Sequence, residues 1–301
     1  MREASAGVTK SLAFVGFGEA AHAFASGWQL SEATEVGAYD VKLADPEAAA
    51  LVLERCREAG VVPMKQMGQA LDRVGLVFCL VTADQAFAAA CAGAEHLPSG
   101  ALWLDGNSCA PQTKQKAAEV IERAGGRYVD VAVMAPVYPK RHQVPLLLSG
   151  PHAEEAAAAI EALDMRPTVL GSRVGDASSV KMLRSVIIKG LEALTAECLL
   201  AARRAGVEEA VLASLQASDP GIDWHARGSY NLERMMVHGG RRAAEVEEVC
   251  VTLRAFGLPD WMSRGTVEWQ RTVAALDLNP GTDDLAKRSD ALLARLACPE
   301  T

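Results

Sequence analysis

The sequence predicts an α/β fold built on a doubly wound parallel sheet, followed by an all-α C-terminal domain. Over residues 11–170, short apolar runs rich in β-branched and aromatic residues alternate with longer Ala-rich segments that carry charge at helical spacing. Several of the runs are almost wholly apolar, as strands covered on both faces must be. Beyond Gly175 the strand signals stop and long Ala/Leu/Glu/Arg segments take over.

In chain order the strand candidates are Leu12–Val15, Val36–Tyr39, Val61–Met64, Leu76–Val81, Ala101–Leu104, Tyr128–Val133 and Pro145–Leu148. Helices are expected between them at about 19–31, 46–59, 84–95, 111–124 and 153–163, with Pro46 and Pro111 near helix starts, where a missing N–H costs least. Right-handed crossovers then favour one sheet. Further helices at about 176–205, 207–217, 241–256 and 259–276 fill the second domain. A chain of 301 residues, 50% hydrophobic, is long enough for two cores, because single cores stop growing at roughly 250–300 residues. The expected division is 1–172 and 173–301, with no low-complexity linker between the parts.

Composition removes several classes of function. Thirty basic against 38 acidic residues give a formal charge of −8 without long single-sign runs, so the basic footprint of a nucleic-acid binder is missing. Met1–Lys10 lacks a basic segment followed by an apolar stretch, and nowhere do ~18 apolar residues run uninterrupted. A cytoplasmic protein without a membrane span is expected. The seven cysteines, Cys56, Cys79, Cys91, Cys109, Cys198, Cys250 and Cys298, are odd in number and scattered, with no CxxC pair and no His cluster at metal-ligand spacing. Neither a disulfide scaffold nor a metal site is expected, and most thiols read as small buried hydrophobes.

The first strand runs into Val15-Gly16-Phe17-Gly18-Glu19-Ala20-Ala21 and then a helical stretch, the GxGxxA pattern of a Rossmann-type dinucleotide site. Gly16 would permit the tight turn, Gly18 would let a pyrophosphate approach the backbone, and Ala21 would keep the helix close to the sheet. Val81 and Thr82, ending the fourth strand candidate, complete the expected cofactor set. Asp40 follows Gly18 by 22 residues, near the ~20 expected of the acid that bonds an adenosine ribose. An acid there favours NAD, although a strand-end Asp is also a turn former, and Lys42 would attract a 2′-phosphate, which keeps NADP open.

Asp105-Gly-Asn107-Ser108 closes the fifth strand candidate, at the end of an open sheet where ligands bind. Asn107 and Ser108 could bond substrate there, or serve as turn and capping residues. In the first helix of the second domain, Lys181, Ser185 and Lys189 share a face at i, i+4 and i+8. Lys181 would be either a snorkelling surface lysine or, desolvated beside a nicotinamide cation, a group that moves a proton to or from a substrate oxygen.

Most of residues 11–260 resemble the β-hydroxyacid dehydrogenase superfamily, which includes 3-hydroxyisobutyrate dehydrogenases and 6-phosphogluconate dehydrogenase. The glycine loop, the Asp105-Gly-Asn107-Ser108 segment, the line from Gly126 to Val133 leading to Leu146–Gly150, and the helix bearing Lys181 carry the resemblance. It implies an NAD(P)-dependent oxidoreductase acting on a hydroxy-acid-like small metabolite. Lys181 would be its general acid and base, Asn107, Ser108 and Ser185 would position the reacting hydroxyl, and a homodimer would form through the helical domains. The chain departs from the family in three places. Met134-Ala135-Pro136 stands for Ser-Gly-Gly, Ser185 beside Arg184 stands for asparagine, and Ile188 stands for the glutamate acid of 6-phosphogluconate dehydrogenases.

His238, Arg241 and Arg242 could meet a substrate carboxylate or phosphate, or be solvated residues near a helix start. Met134 and Arg184 join His238 and Arg241 as substrate-contact candidates, while Trp224 and Tyr230 are pocket-wall or core aromatics. Imine reduction and catalysis-free NAD(H) sensing are the alternative functions; the retained lysine speaks against the first, and the altered Met134–Pro136 loop motivates the second.

Overall fold

The computed structural model describes residues 11–30 and 34–296, so Met1–Lys10 and Cys298 lie outside the described residues. The chain divides into two compact units, 1–181 and 182–301, and the division falls inside a helix rather than ahead of it.

The first unit runs β1 (Ser11–Val15), α1 (Glu19–Ala25), β2 (Val36–Tyr39), α2 (Pro46–Ala59), β3 (Val62–Met64), α3 (Met67–Leu71), β4 (Val74–Cys79), α4 (Ala86–Ala94) and β5 (Leu102–Asp105). It continues with α5 (Pro111–Arg123), β6 (Arg127–Val133), β7 (Pro145–Ser149), α6 (Ala153–Glu161), β8 (Arg166–Gly171) and the first turns of α7 (Asp176–Arg204). The eight strands form one sheet in the order β3-β2-β1-β4-β5-β6-β7-β8. This is a Rossmann-type, mainly parallel sheet, and the strand order reverses between β1 and β4.

The expected doubly wound parallel sheet is present, with one antiparallel strand in it. β7 runs antiparallel to β6, pairing Val133 with Leu146 and Asp130 with Ser149, because residues 134–144 return as a short loop where a parallel partner needs a crossover of a dozen residues or more. β8 was not among the strand candidates. It is the sheet edge, carries Arg166 and Pro167, and is covered only at alternate residues, so it lacks the apolar run of a central strand.

Both faces of the sheet are buried. Phe14 stacks on Trp28 at 5.4 Å and on Phe78 at 5.5 Å, binding the segment after α1 to one face. Trp103 and Tyr128, both fully buried, centre the cluster on the other. Truncating such a ring to Ala costs ~3–5 kcal/mol.

The second unit holds the rest of α7 with α8 (Glu208–Ser218), α9 (Trp224–Ala255), α10 (Trp261–Ala275) and α11 (Leu285–Leu293). It is all helical, as expected, but α9 begins seventeen residues before the expected start at 241. Asp223 caps it, accepting from Ala226 N at 2.9 Å, and the Gly239-Gly240 pair is helical. A Cβ on Gly239 would lie 2.6 Å from Gln270 O, so the missing side chain is what admits α10. The short helices α3 and α11 were likewise not anticipated. Among the described residues no helix is long and apolar enough to cross a membrane, and no group of His, Cys, Asp and Glu is arranged to hold a metal.

Candidate active site

The glycine loop joins β1 to α1. Gly16 has φ +85°, and a Cβ there would sit 2.5 Å from Leu80 O, so no larger residue fits. A Cβ on Gly18 would meet nothing within 4 Å, which leaves the backbone open to an approaching phosphate. The first bond within α1 runs from His22 N to Gly18 O, so the opening turn has no intrahelical use for its own N–H groups. Glu19 is exposed, Ala20 half-buried and Ala21 fully buried against the sheet. A nicotinamide dinucleotide's pyrophosphate therefore fits this loop.

Asp40 ends β2 beside the loop. One of its carboxylate oxygens accepts from Phe17 N at 2.8 Å and the other from Lys42 N at 3.0 Å. These contacts fix the carboxylate and leave lone pairs for ribose hydroxyls. Lys42 itself is exposed. Thr82 is exposed after β4, and Val81 N donates to Asn107 Oδ1 at 2.7 Å, joining the ends of β4 and β5.

That bond gives Asn107 a turn-holding task, one of the two roles expected of it. The residue is buried, its Nδ2 donates to Asp105 Oδ1 at 2.7 Å and to Cys79 Sγ at 3.3 Å, and its oxygen holds Val81. Its carboxamide is spent on shaping the turn rather than held out for substrate. Burial, then Asp105, pushes the Cys79 thiol far up, so it stays neutral. The next residue, half-buried Ser108, is the one presented: Lys181 Nζ donates to Ser108 Oγ at 2.6 Å.

A buried network sets that meeting. Asp130 Oδ2 accepts from Gly175 N, Ser178 N, Ser178 Oγ and Ser149 Oγ at 3.0–3.1 Å, capping the first turn of α7 one turn before Lys181. Asp105 Oδ2 accepts from Tyr128 Oη at 2.7 Å. Burial, then Asp105, raises the Tyr128 pKa well above a phenol's usual value and keeps it a donor. Between the two acids lies Lys114, 2.9 Å from Asp105 Oδ1 and 3.4 Å from Asp130 Oδ1. Burial opposes its charge, but the surrounding acids, Asp105 foremost, outweigh burial and hold the ammonium above the ordinary lysine value.

Sequence reasoning missed Lys114. The available signal was its place on α5, in register with buried Ala117, Ala118 and Ile121, where a lysine has no solvent to reach.

Met134 follows β6, half-buried, its N–H donating to Pro145 O at 3.0 Å. The remaining candidates belong to the second unit. Ser185 is buried and accepts from Lys189 Nζ at 3.2 Å, and Lys189 pairs with Glu245 at 2.8 Å. Arg184 and Arg241 are exposed and His238 is half-buried. Arg242 is neither solvated nor near a helix start. From the middle of α9 it forks onto buried Glu192, which also accepts from Gln270 Nε2 at 2.8 Å. Trp224 packs into the helical core, while Tyr230 is exposed.

Fold and loop together define a dinucleotide-binding domain of Rossmann type. Residues 11–164 match the NAD binding domain of 6-phosphogluconate dehydrogenase, and residues 202–273 match a domain of unknown function, DUF1932. The chain belongs to the family of the NAD binding domain of 6-phosphogluconate dehydrogenase. It is 38% identical to a conserved hypothetical protein from Sinorhizobium meliloti over 96% of this chain and 98% of that one, with a TM-score of 0.76. A conserved protein of unknown function, described as structurally similar to 3-hydroxyacid dehydrogenases, is 31% identical over 89% of this chain and 98% of its own, with a TM-score of 0.68. The Mycobacterium tuberculosis 3-hydroxyisobutyrate dehydrogenase, 14% identical over 94% of this chain and 99% of its own, shares the fold at a TM-score of 0.72. An uncharacterised 28.5 kDa protein from Methanothermus fervidus is 27% identical across 49% of this chain, which spans only 56% of that relative's length.

Proposed function

We propose that the protein is a nicotinamide-dependent dehydrogenase that exchanges a hydride with the alcohol or carbonyl carbon of a small hydroxy-acid-like metabolite, with Lys181 as general acid and base. The Lys181–Ser108 contact of 2.6 Å carries this reading, because it places a nitrogen able to hold or release a proton beside a hydroxyl at the ligand end of β5. Bound nicotinamide supplies or accepts the hydride. In oxidation Lys181 takes the substrate hydroxyl proton, and in reduction it returns a proton to the carbonyl oxygen. Ser108 accepts from Lys181 and so turns its own O–H toward the reacting oxygen, while Asn107 holds the turn that presents it. Arg184, Ser185, His238, Arg241 and Met134 are proposed as substrate contacts on the family resemblance alone.

The anchored Asp40 supports NAD over NADP, since a carboxylate fixed by two backbone N–H groups cannot swing away from a 2′-phosphate. A homodimer is proposed from α7, whose Leu183, Ile187, Leu191 and Leu194 are 39–62% exposed on one helical face. The test of function is a screen of 3-hydroxy acids and their oxo forms with NAD(H) and NADP(H), run beside Lys181→Met. Substantial turnover retained by that variant at normal cofactor affinity would remove the lysine from the chemistry.

A further inference from the structure

Lys114 is wholly buried, and so are the two carboxylates it faces. Its Nζ lies 2.5 Å from Asp105 O, 2.9 Å from Asp105 Oδ1 and 3.4 Å from Asp130 Oδ1. The carboxylates have separate tasks. Asp105 Oδ1 accepts both the backbone N–H and a side-chain N–H of Asn107, shaping the turn that ends in Ser108. Asp130 Oδ2 gathers Gly175 N, Ser178 N and Ser178 Oγ, fixing the first turn of the helix that carries Lys181.

We propose that Lys114 is a positioning residue for Lys181: its ammonium ties the carboxylate that shapes the Ser108 turn to the carboxylate that caps the Lys181 helix, and so sets the spacing at which the two meet. The proposal rests on the reading of Lys181 as the acid–base group. Asp130 Oδ1 accepts no hydrogen bond among the described residues, so Lys114 is what answers its charge. Two carboxylates held out of water without that cation cannot both stay ionised, and one takes up a proton. A protonated Asp130 exchanges charge-assisted bonds to Gly175 and Ser178 for neutral ones of roughly half the strength. The first turn of α7 then loosens, and a displacement of ~1 Å at a reacting group is enough to cost ~10²-fold in rate.

The test uses the full chain labelled with 15N-glycine and 15N-serine, as wild type, Lys114→Met and Lys114→Arg, followed by NMR across about pH 5–9, the range in which a perturbed carboxylate would titrate. The Gly175 and Ser178 amide signals should stay flat in the wild type, titrate in Lys114→Met and return to flat in Lys114→Arg. With substrate, Lys114→Met should lose ~10²-fold in kcat at unchanged NADH affinity. Flat amides in Lys114→Met overturn the proposal, as does a titration that leaves kcat intact. If Lys114→Met fails to fold, the double variant Lys114→Met/Asp130→Asn, which removes the surplus charge, should fold; a double variant no better than the single also overturns it. The amide titration needs no substrate, so a wrong role for Lys181 would be exposed by Lys181→Met and not by this arm.

Discussion

Lys181 Nζ donates to Ser108 Oγ at 2.6 Å although 73 residues separate them. One stands on the turn after β5 and the other one turn into α7, and each turn is built around a buried aspartate, Asp105 and Asp130.

From that pairing, Lys181→Met should lower turnover by ~10²–10⁴-fold, the usual contribution of a positioned acid–base group. NADH should bind it as it binds the wild type. Ser108→Ala removes one hydrogen bond to the lysine and should lower turnover by about tenfold, equivalent to ~1.4 kcal/mol. Steady-state rates with nicotinamide absorbance, beside NADH binding by fluorescence, separate the chemical loss from a binding loss.

The cofactor loop makes a different demand. Gly16→Ala places a Cβ against Leu80 O at a backbone angle of φ +85°, so it should weaken NADH binding by about tenfold or more. Asp40→Ala releases Phe17 N and removes the acid beside the ribose. It should narrow the preference for NADH over NADPH by about tenfold, measured as the ratio of the two dissociation constants. An unchanged ratio would take Asp40 out of cofactor selection.

The fold was legible where local periodicity and burial agree. β1, β2 and β5 are apolar runs, and α2 and α5 open on prolines, so their limits lie within a residue or two of expectation. β8 was not legible because an edge strand needs cover on only one side, and α9 was expected only from about 241, although Gly239 lies inside the helix where α10 packs against it. Gly16, Gly18, Asp40, Ser108 and Lys181 could be named as site candidates from the sequence because loop chemistry and helix spacing are local. Asn107 showed as either a substrate contact or a turn residue, and the sequence did not choose between them, since its partners Val81 and Cys79 come from β4 and the residues after it. Lys114 and Arg242 are charges whose partners lie on other elements of the fold, and only tertiary structure distinguishes such a residue from a solvated one.

Arg242 and Glu192 link α9 to α7 inside the helical unit, 11% and 3% exposed at their side chains. Removing one partner leaves the other charge buried, so Glu192→Leu and Arg242→Met should each destabilise the protein by ~3–5 kcal/mol. The double variant Glu192→Leu/Arg242→Met, apolar on both sides, should recover a good part of that loss. Denaturant unfolding of the four proteins as a double-mutant cycle measures the coupling. Additive losses would mean that the pair contributes no joint stability.

Along α7 the side chains divide against the usual order. Ser185, Lys189, Glu192 and Thr195 are buried, while Leu183, Ile187, Leu191 and Leu194 face outward at spacings of four, four and three residues. An outward stripe of branched aliphatic residues across three turns is the sort of surface that folded chains cover, because each such side chain gains ~1.5–3 kcal/mol when fully withdrawn from water. With a second copy as the cover, Ile187→Glu/Leu194→Glu would put two carboxylates into the interface and leave the polar flank facing α9 untouched. Light scattering should then fall from twice the chain mass to the chain mass, with helix content by circular dichroism unchanged. A wild-type protein that scatters as a monomer at all concentrations would remove the second copy as the cover for this face.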